Sequence, residues 1–199
     1  MVFIGISRYL KTKKDFSDLF IYRKAKELQQ LDFGIQQPLH ANPEVYKRRG
    51  GDDELEKSLK AHENTLVTGM PKSGKTRSIY QAIKAVLPDF FVIKVPPTPE
   101  KVEQVRLPFL KKNYLVFFDD LNEFMSTNFD FTLFLKRFKE KSKNLIVVST
   151  CRSGDEFKSV EDKSLQTLRT FTKVVNLDAH ELTESEGEEL ANEAGATWK

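Results

Sequence analysis

At 199 residues, with 39% hydrophobic and 31% charged side chains and sixteen Phe, the chain is long enough for one domain with a real core and polar enough to stay in water. A single cysteine, Cys151, and no zinc-type Cys/His spacing exclude a disulfide framework and point to a reducing compartment; no apolar run nears the roughly 18 residues of a membrane helix and no secretory core is present, so a cytoplasmic protein is expected. The net charge of +3 is too small to argue for nucleic acid by itself, because a binding face needs clustered cations.

Basic residues nonetheless collect early (Lys11, Lys13, Lys14, Arg23, Lys24, Lys26, Lys47, Arg48, Arg49) and acids late (Glu181, Glu184, Glu186, Glu188, Glu189, Glu193), as solvated helix faces do. Met1 to Ile6 is briefly apolar before the basic stretch Arg8 to Lys14. It fits a buried helix start, or the cytoplasmic end of a membrane helix if a preceding segment has been lost. Asp15 to Leu31 places Phe16, Leu19, Phe20, Tyr22 and Leu28 among charges and predicts a helix; Phe33 to Pro43, with Gly34, Pro38 and Pro43, predicts irregular chain. Tyr46-Lys47-Arg48-Arg49 then precedes Gly50-Gly51, and Asp52-Asp53 opens a helix to Lys60 with a suitably acidic first turn. Tyr46 and Arg49 stand where they could cover the base and ribose of a nucleotide; a tyrosine packed under a linker with exposed arginines is the alternative.

Thr65 to Thr76, TLVTGMPKSGKT, carries the strongest signal. Gly69, Gly74, Lys75 and Thr76 complete G-x-x-x-x-G-K-[ST], between a β-prone run (Thr65 to Thr68) and a helical pattern (Ile79, Ala82, Ile83, Val86). The glycines let the loop Gly69-Met70-Pro71-Lys72-Ser73-Gly74 curl its N–H groups onto phosphates. Lys75 is expected to reach the β and γ oxygens and Thr76 to give its hydroxyl to Mg²⁺, with Arg77 in the first turn of a helix whose positive end faces the anion.

Phe90 to Val95 predicts a strand buried on both faces, stopped by Pro96-Pro97, and Thr98 to Leu110 a helix with Pro99 in its first turn. Tyr114-Leu115-Val116-Phe117-Phe118 ends in Asp119-Asp120. Asp119 is the expected Mg²⁺-side acid, and Asp120 the acid that orients or deprotonates water. Asn128 to Lys141 predicts an amphipathic helix with Phe131, Phe134, Leu135 and Phe138 inward. Leu145 to Val148 is a fourth strand running into Ser149-Thr150-Cys151-Arg152, so a hydroxyl and a guanidinium emerge at one sheet edge, with Arg152 the candidate sensor of a γ-phosphate. A polar, partly helical connection (Ser153 to Arg169), a fifth strand (Thr172 to Leu177) and a last acidic helix with a Thr183/Glu186 capping box follow. That helix has a thin apolar side (Leu190, Ala191, Ala194), which predicts a further partner.

Alternating strands and helices with continuous apolar strands predict an α/β fold of three layers around a five-stranded parallel sheet, with ligand at the strand C-termini. GMPKSGKT, the YLVFFDD doublet, the LIVVSTCRS strand and the LDAHELTESEGEEL ending together are similar to the nucleotide-binding module of STAND NTPases, the group that includes NACHT and NB-ARC switch proteins, over Tyr46 to Ala194. The loop itself is common to P-loop NTPases at large; the arginine after the fourth strand and Leu-Thr-x-x-Glu narrow the match. The resemblance implies a helical extension over 1–45, a P-loop NTPase domain over 46–178 and the start of a helical lid over 179–199. It implies that Lys75 and Thr76 hold phosphate and Mg²⁺, that Asp119 is the metal-side acid, Asp120 the hydrolysis acid and Arg152 the sensor. It also implies ATP and ADP as ligands, and other protomers or a C-terminal sensor domain as partners. No Asn-Lys-x-Asp guanine motif occurs, in line with ATP. The Gly-x-Pro and winged-helix region of that family is missing, so the chain is expected to be a fragment or a module whose lid lies elsewhere, and any arginine finger to come from a neighbour. The rivals are an AAA+ or initiator-type DNA-associated ATPase, a non-hydrolysing nucleotide module, and a small-molecule kinase, which the arginine-poor 153–169 connection disfavours.

Overall fold

The computed structural model describes residues 21–35, 45–96, 112–125, 129–180 and 183–194. The predicted helix over 98–110, the Met1–Lys14 stretch and most of the Phe33–Pro43 connection lie outside them. Six strands form one sheet: β1 (Ile21–Lys24), β2 (Thr65–Gly69), β3 (Phe91–Val95), β4 (Lys112–Phe118), β5 (Ser142–Arg152) and β6 (Lys173–Asn176). Their order is β1-β3-β4-β5-β2-β6. The last five are mutually parallel, as expected, and β1 lies antiparallel on β3.

The sixth strand corrects two expectations, the five-stranded sheet and, over its described part from Ile21 to Leu31, the helix over Asp15–Leu31, whose first six residues lie outside the described ones. Ile21–Lys24 pairs with Phe91–Lys94, and Tyr22 stacks on Phe91 at 5.1 Å between ring centroids. Short 3₁₀ turns at Ala25–Glu27 and Gln30–Phe33 follow. Isolated helices depend on a face to bury; here the open edge of β3 offered this segment a ladder of hydrogen bonds, continued by Ala25 N–H to Phe90 O at 2.9 Å, and the ladder prevailed.

The period of two along buried strands decides the layers. In β4, Tyr114, Val116 and Phe118 enter one core with Phe131, Phe134 and Phe138. These last belong to α4 (Phe131–Lys141), one of the helices α1 (Gly50–Lys60), α2 (Lys75–Val86), α3 (Leu121–Met125), α4, α5 (Asp155–Lys163), α6 (Leu165–Leu168) and α7 (Glu184–Ala194). Leu115 and Phe117 point the other way, into a core with Leu55 and Leu59 of α1 and Ile79 and Ile83 of α2. Phe118 is fully buried, with ring contacts to Phe124, Phe129, Phe131 and Phe134 at 4.8 to 6.1 Å. The three-layer α/β architecture is therefore as the strand pattern predicts. β5 lies between β2 and β4, so its Thr150 and Arg152 emerge between the loop after Gly69 and the acids after Phe118.

Candidate functional site

The loop between β2 and α2 is bent by left-handed backbone conformations and closely lined by side chains. A Cβ on Gly69 would stand 2.6 Å from Ser73 Oγ and 3.2 Å from Asp178 Oδ1, so any larger residue there would have to displace both side chains. Gly74 has φ of 82° and Lys72 φ of 66°, left-handed turns that curl the chain before the helix. No side chain caps the start of α2, which leaves its first N–H groups to face the loop. Lys75, 8% exposed, folds back across the loop and donates to the carbonyls of Gly69 and Met70, each at 2.9 Å. Burial pulls its pKa below the ordinary lysine value, against the opposing pull of Asp120 and Asp178.

The predicted metal-side residues meet. Thr76 Oγ1 donates to Asp119 Oδ1 at 3.0 Å, although the two are 43 residues apart. Thr150 Oγ1 donates to the same oxygen at 2.9 Å and accepts from the Asp120 N–H at 2.7 Å. Lys94 Nζ holds the other oxygen, Asp119 Oδ2, at 3.2 Å and also donates to Phe33 O at 2.6 Å. Asp120 sits at φ of 54°, a costly conformation for a non-glycine residue that turns its carboxylate off the strand line. Arg152 Nη2 lies 3.7 Å from Asp120 Oδ2 and Nη1 lies 3.9 Å from Glu156 Oε1. The guanidinium thus stands at the expected edge, half-exposed and between two carboxylates.

Beside the loop a cavity of about 400 Å³ is lined by Tyr46, Arg49, Pro71, Ser73, Arg77 and Leu190, among others. Arg49 donates to Ser73 O at 2.9 Å and to Ser78 Oγ at 3.0 Å. Tyr46 donates to Asp52 Oδ1 at 2.7 Å and shares a 2.9 Å bond with Ser78 Oγ; burial pushes its hydroxyl pKa up. Arg77 reaches Val45 O at 2.6 Å and stacks over the Tyr46 ring at 5.7 Å. Helix α7 completes the wall. The Thr183 N–H donates to Glu186 Oε2 at 2.9 Å and the Glu186 N–H to Thr183 Oγ1 at 3.3 Å, the expected capping box, and Lys47 pairs with Glu189 at 2.7 Å.

Two participants were missed from sequence, and a third, Thr150, was legible only as a hydroxyl emerging at the end of its strand. Asp178, whose Oδ1 accepts from the Met70 N–H at 2.6 Å, lies in the LDAHELTESEGEEL ending without a role assigned there, and Lys94, on a strand next to β4, carries no local motif.

A magnesium triphosphate fits these residues. Ser73 Oγ is buried without a hydrogen-bond partner among the described residues, inside a loop that also presents unbonded helix N–H groups. One hydroxyl and one carboxylate at 3.0 Å match the sparse protein ligation of an ion that keeps water and phosphate oxygens as its other ligands. Among the described residues no group of three or more His, Cys, Asp or Glu could hold a metal alone.

No protein-family model and no curated protein matches the chain. Among solved structures it is similar to a closed-state cryo-EM reconstruction of Hsp104 with ATPγS and FITC casein, at 16% identity and a TM-score of 0.53, covering 86% of this chain and 32% of that one. It is similar to the S. cerevisiae Hsp104–ADP complex at 15% identity and a TM-score of 0.54, covering 89% and 27%. A variant of Thermotoga maritima RuvB matches at 16% identity and a TM-score of 0.54, over 78% of this chain and 53% of that one. At such identities the likeness shows the fold, that of the P-loop NTPases. The chain spans between 27% and 53% of the length of these neighbours.

Proposed function

We propose that this chain is an ATP-binding, Mg²⁺-dependent NTPase module that hydrolyses slowly and works as a conformational switch of the STAND kind within a larger signalling or defence protein. The observation that carries the reading is the convergence of Lys75, Thr76, Asp119 and Asp120 on one sheet edge around the curled loop Gly69–Gly74. Phosphoryl transfer to water asks for positioning and charge neutralisation more than for covalent chemistry. Lys75 and the loop N–H groups bind the phosphates, and Thr76 and Asp119 hold the metal. Magnesium, when bound, neutralises charge on the transferring phosphate. Asp120 takes the role of orienting the attacking water, and Arg152, freed from its carboxylate partners, that of contacting the terminal phosphate. Tyr46 and Arg49 form the wall against which base and ribose rest, and α7 with Leu190 serves as the lid.

The AAA+ reading has an observation of its own, the fold match to Hsp104 and RuvB, and it too calls for other protomers. Substituting Asp120→Asn separates hydrolysis from binding. Phosphate release in a single turnover with excess protein should fall about 100-fold or more, with ATP affinity kept within about threefold. Unchanged release would remove Asp120 from the chemistry. Light scattering in ATP and in ADP then tests the two readings together: an ATP-dependent assembly that dissolves on hydrolysis supports both, and a monomer in every nucleotide state contradicts both.

A further inference from the structure

The opposite edge of the sheet, where the strands begin, carries a second cavity of about 580 Å³ between α4, the start of β5 and the Asn64 and Thr170 connections. From Leu145 to Arg152 is seven steps along one strand, about 23 Å at ~3.3 Å each, so this cavity is remote from the phosphate loop. Its lining includes Lys136, Lys139 and Lys143 and no carboxylate. All three lysines are exposed, as is Arg169 next to the lining residue Thr170. Among the described residues none of these four cations has an ion-pair partner, whereas Lys24, Lys26, Lys47, Lys94 and Lys173 each stand within 3.4 Å of a carboxylate. Residues 136–143, KRFKEKSK, hold five cations and the single acid Glu140, a local charge of +4 in a chain whose total is +3. Lys136, Lys139 and Lys143, with Arg169 beside them, are therefore gathered around one concavity without a carboxylate partner among the described residues, at a cost in self-repulsion that an anion would remove.

We propose that this cavity binds a run of phosphate groups, the backbone of a single-stranded nucleic acid. Ammonium groups suit phosphate oxygens as point charges, and the cations continue past the cavity to Arg169, which favours a chain of phosphates over one compact anion. An acidic peptide fits less well. Its backbone N–H and C=O groups need partners; beside the cavity β5 ladders with β4 alone over Ser142–Val147, its pairing with β2 beginning at Val148, but the Val147 N–H is already taken by Asn64 Oδ1, which shortens the edge left for strand addition. The polar floor is also committed, since Asn64 gives its Nδ2–H to Thr170 O at 2.9 Å and takes the Val147 N–H on Oδ1 at 2.9 Å. Among the described residues no aromatic side chain lines the cavity, so bases find no stacking partner there and binding is blind to sequence and strongly salt-dependent.

The test is fluorescence anisotropy of a labelled single-stranded oligonucleotide with the full chain, between about 50 and 200 mM salt. The triple variant Lys136→Gln, Lys139→Gln, Lys143→Gln should bind at least about tenfold more weakly and lose about 2 from the slope of log affinity against log salt, at ~0.7 per phosphate contact. A charge-matched control, Lys60→Gln, Lys158→Gln, Lys163→Gln, should keep both. Equal losses in the two variants would mean net charge alone, and would overturn the site. So would an undiminished affinity in the triple variant, no binding by the wild type, or competition by polyglutamate equal to that by long-chain polyphosphate. ATP affinity measured in the same samples should be the same in the wild type and the triple variant, so a failed nucleotide site and a failed backbone site give different results.

Discussion

Replacing Lys75 by Met keeps the length and packing of the side chain and removes its charge. In the free protein the ammonium makes hydrogen bonds to Gly69 O and Met70 O, each at 2.9 Å; charge-assisted bonds of this kind contribute about 1.5–3 kcal/mol apiece. Burying the ammonium costs several kcal/mol in the opposite direction, and its lowered pKa reports that cost. The two nearly cancel. Lys75→Met should change stability by less than about 2 kcal/mol, or roughly 4–8 °C in Tm for a domain of this size. Phosphate binding does not cancel in this way, because the ammonium then gains a charged partner. Losing one such contact, about 1.5–3 kcal/mol, weakens ATP about 10- to 150-fold at ~1.4 kcal/mol per decade. Titration of ATP with Mg²⁺ by calorimetry, beside thermal melts of both proteins, separates the two effects. An affinity within about twofold of wild type would refute the role of Lys75. A pH series adds a signed check. The folded pKa lies below the ordinary 10.5, so the unfolded chain holds the proton more tightly. Stability of wild type relative to Lys75→Met should therefore rise with pH between the lowered value and 10.5 and be independent of pH outside that window.

Two further outcomes follow from the site. Thr150→Val removes the hydroxyl shared by Asp119 and the Asp120 N–H while keeping the shape of β5; hydrolysis in a single turnover should drop about tenfold or more with ATP affinity nearly kept, and an unchanged rate would leave Thr150 a structural residue only. Cys151 is fully buried and burial pushes its thiol up to about 11 from 9.0, which means about a hundredfold less thiolate at pH 8 than an ordinary thiol. Ellman's reagent should react slowly with the native protein and fast in denaturant, and rapid native labelling would show that β5 opens.

Much of the site could be read in advance because its chemistry is local. The G-x-x-x-x-G-K-T spacing, the apolar run before Asp119-Asp120 and the Thr183/Glu186 box each depend on residues within one turn or one strand end, and the structure places Gly69, Lys75, Thr76, Asp119, Asp120 and Arg152 on a common edge. The N-terminal segment was the opposite case. Four residues, IYRK, are too few to display a period, and whether they coil or extend depends on the neighbour available. The roles of Lys94 and Asp178 were invisible for a related reason: each residue acts on a loop far away in sequence, at 25 residues in one case and 108 in the other.

Amino-acid order by itself determined the alternation of strand and helix, the phosphate loop and the paired acids, since these follow from side-chain period, glycine geometry and charge at neighbouring positions. Tertiary structure alone decided that β5 stands between the loop and the acids, that an antiparallel β1 closes the far edge, and that Thr150 and Lys94 share Asp119. Those are matters of which strand borders which, and hydrogen-bonded edges select their neighbours across space, where sequence distance leaves no mark.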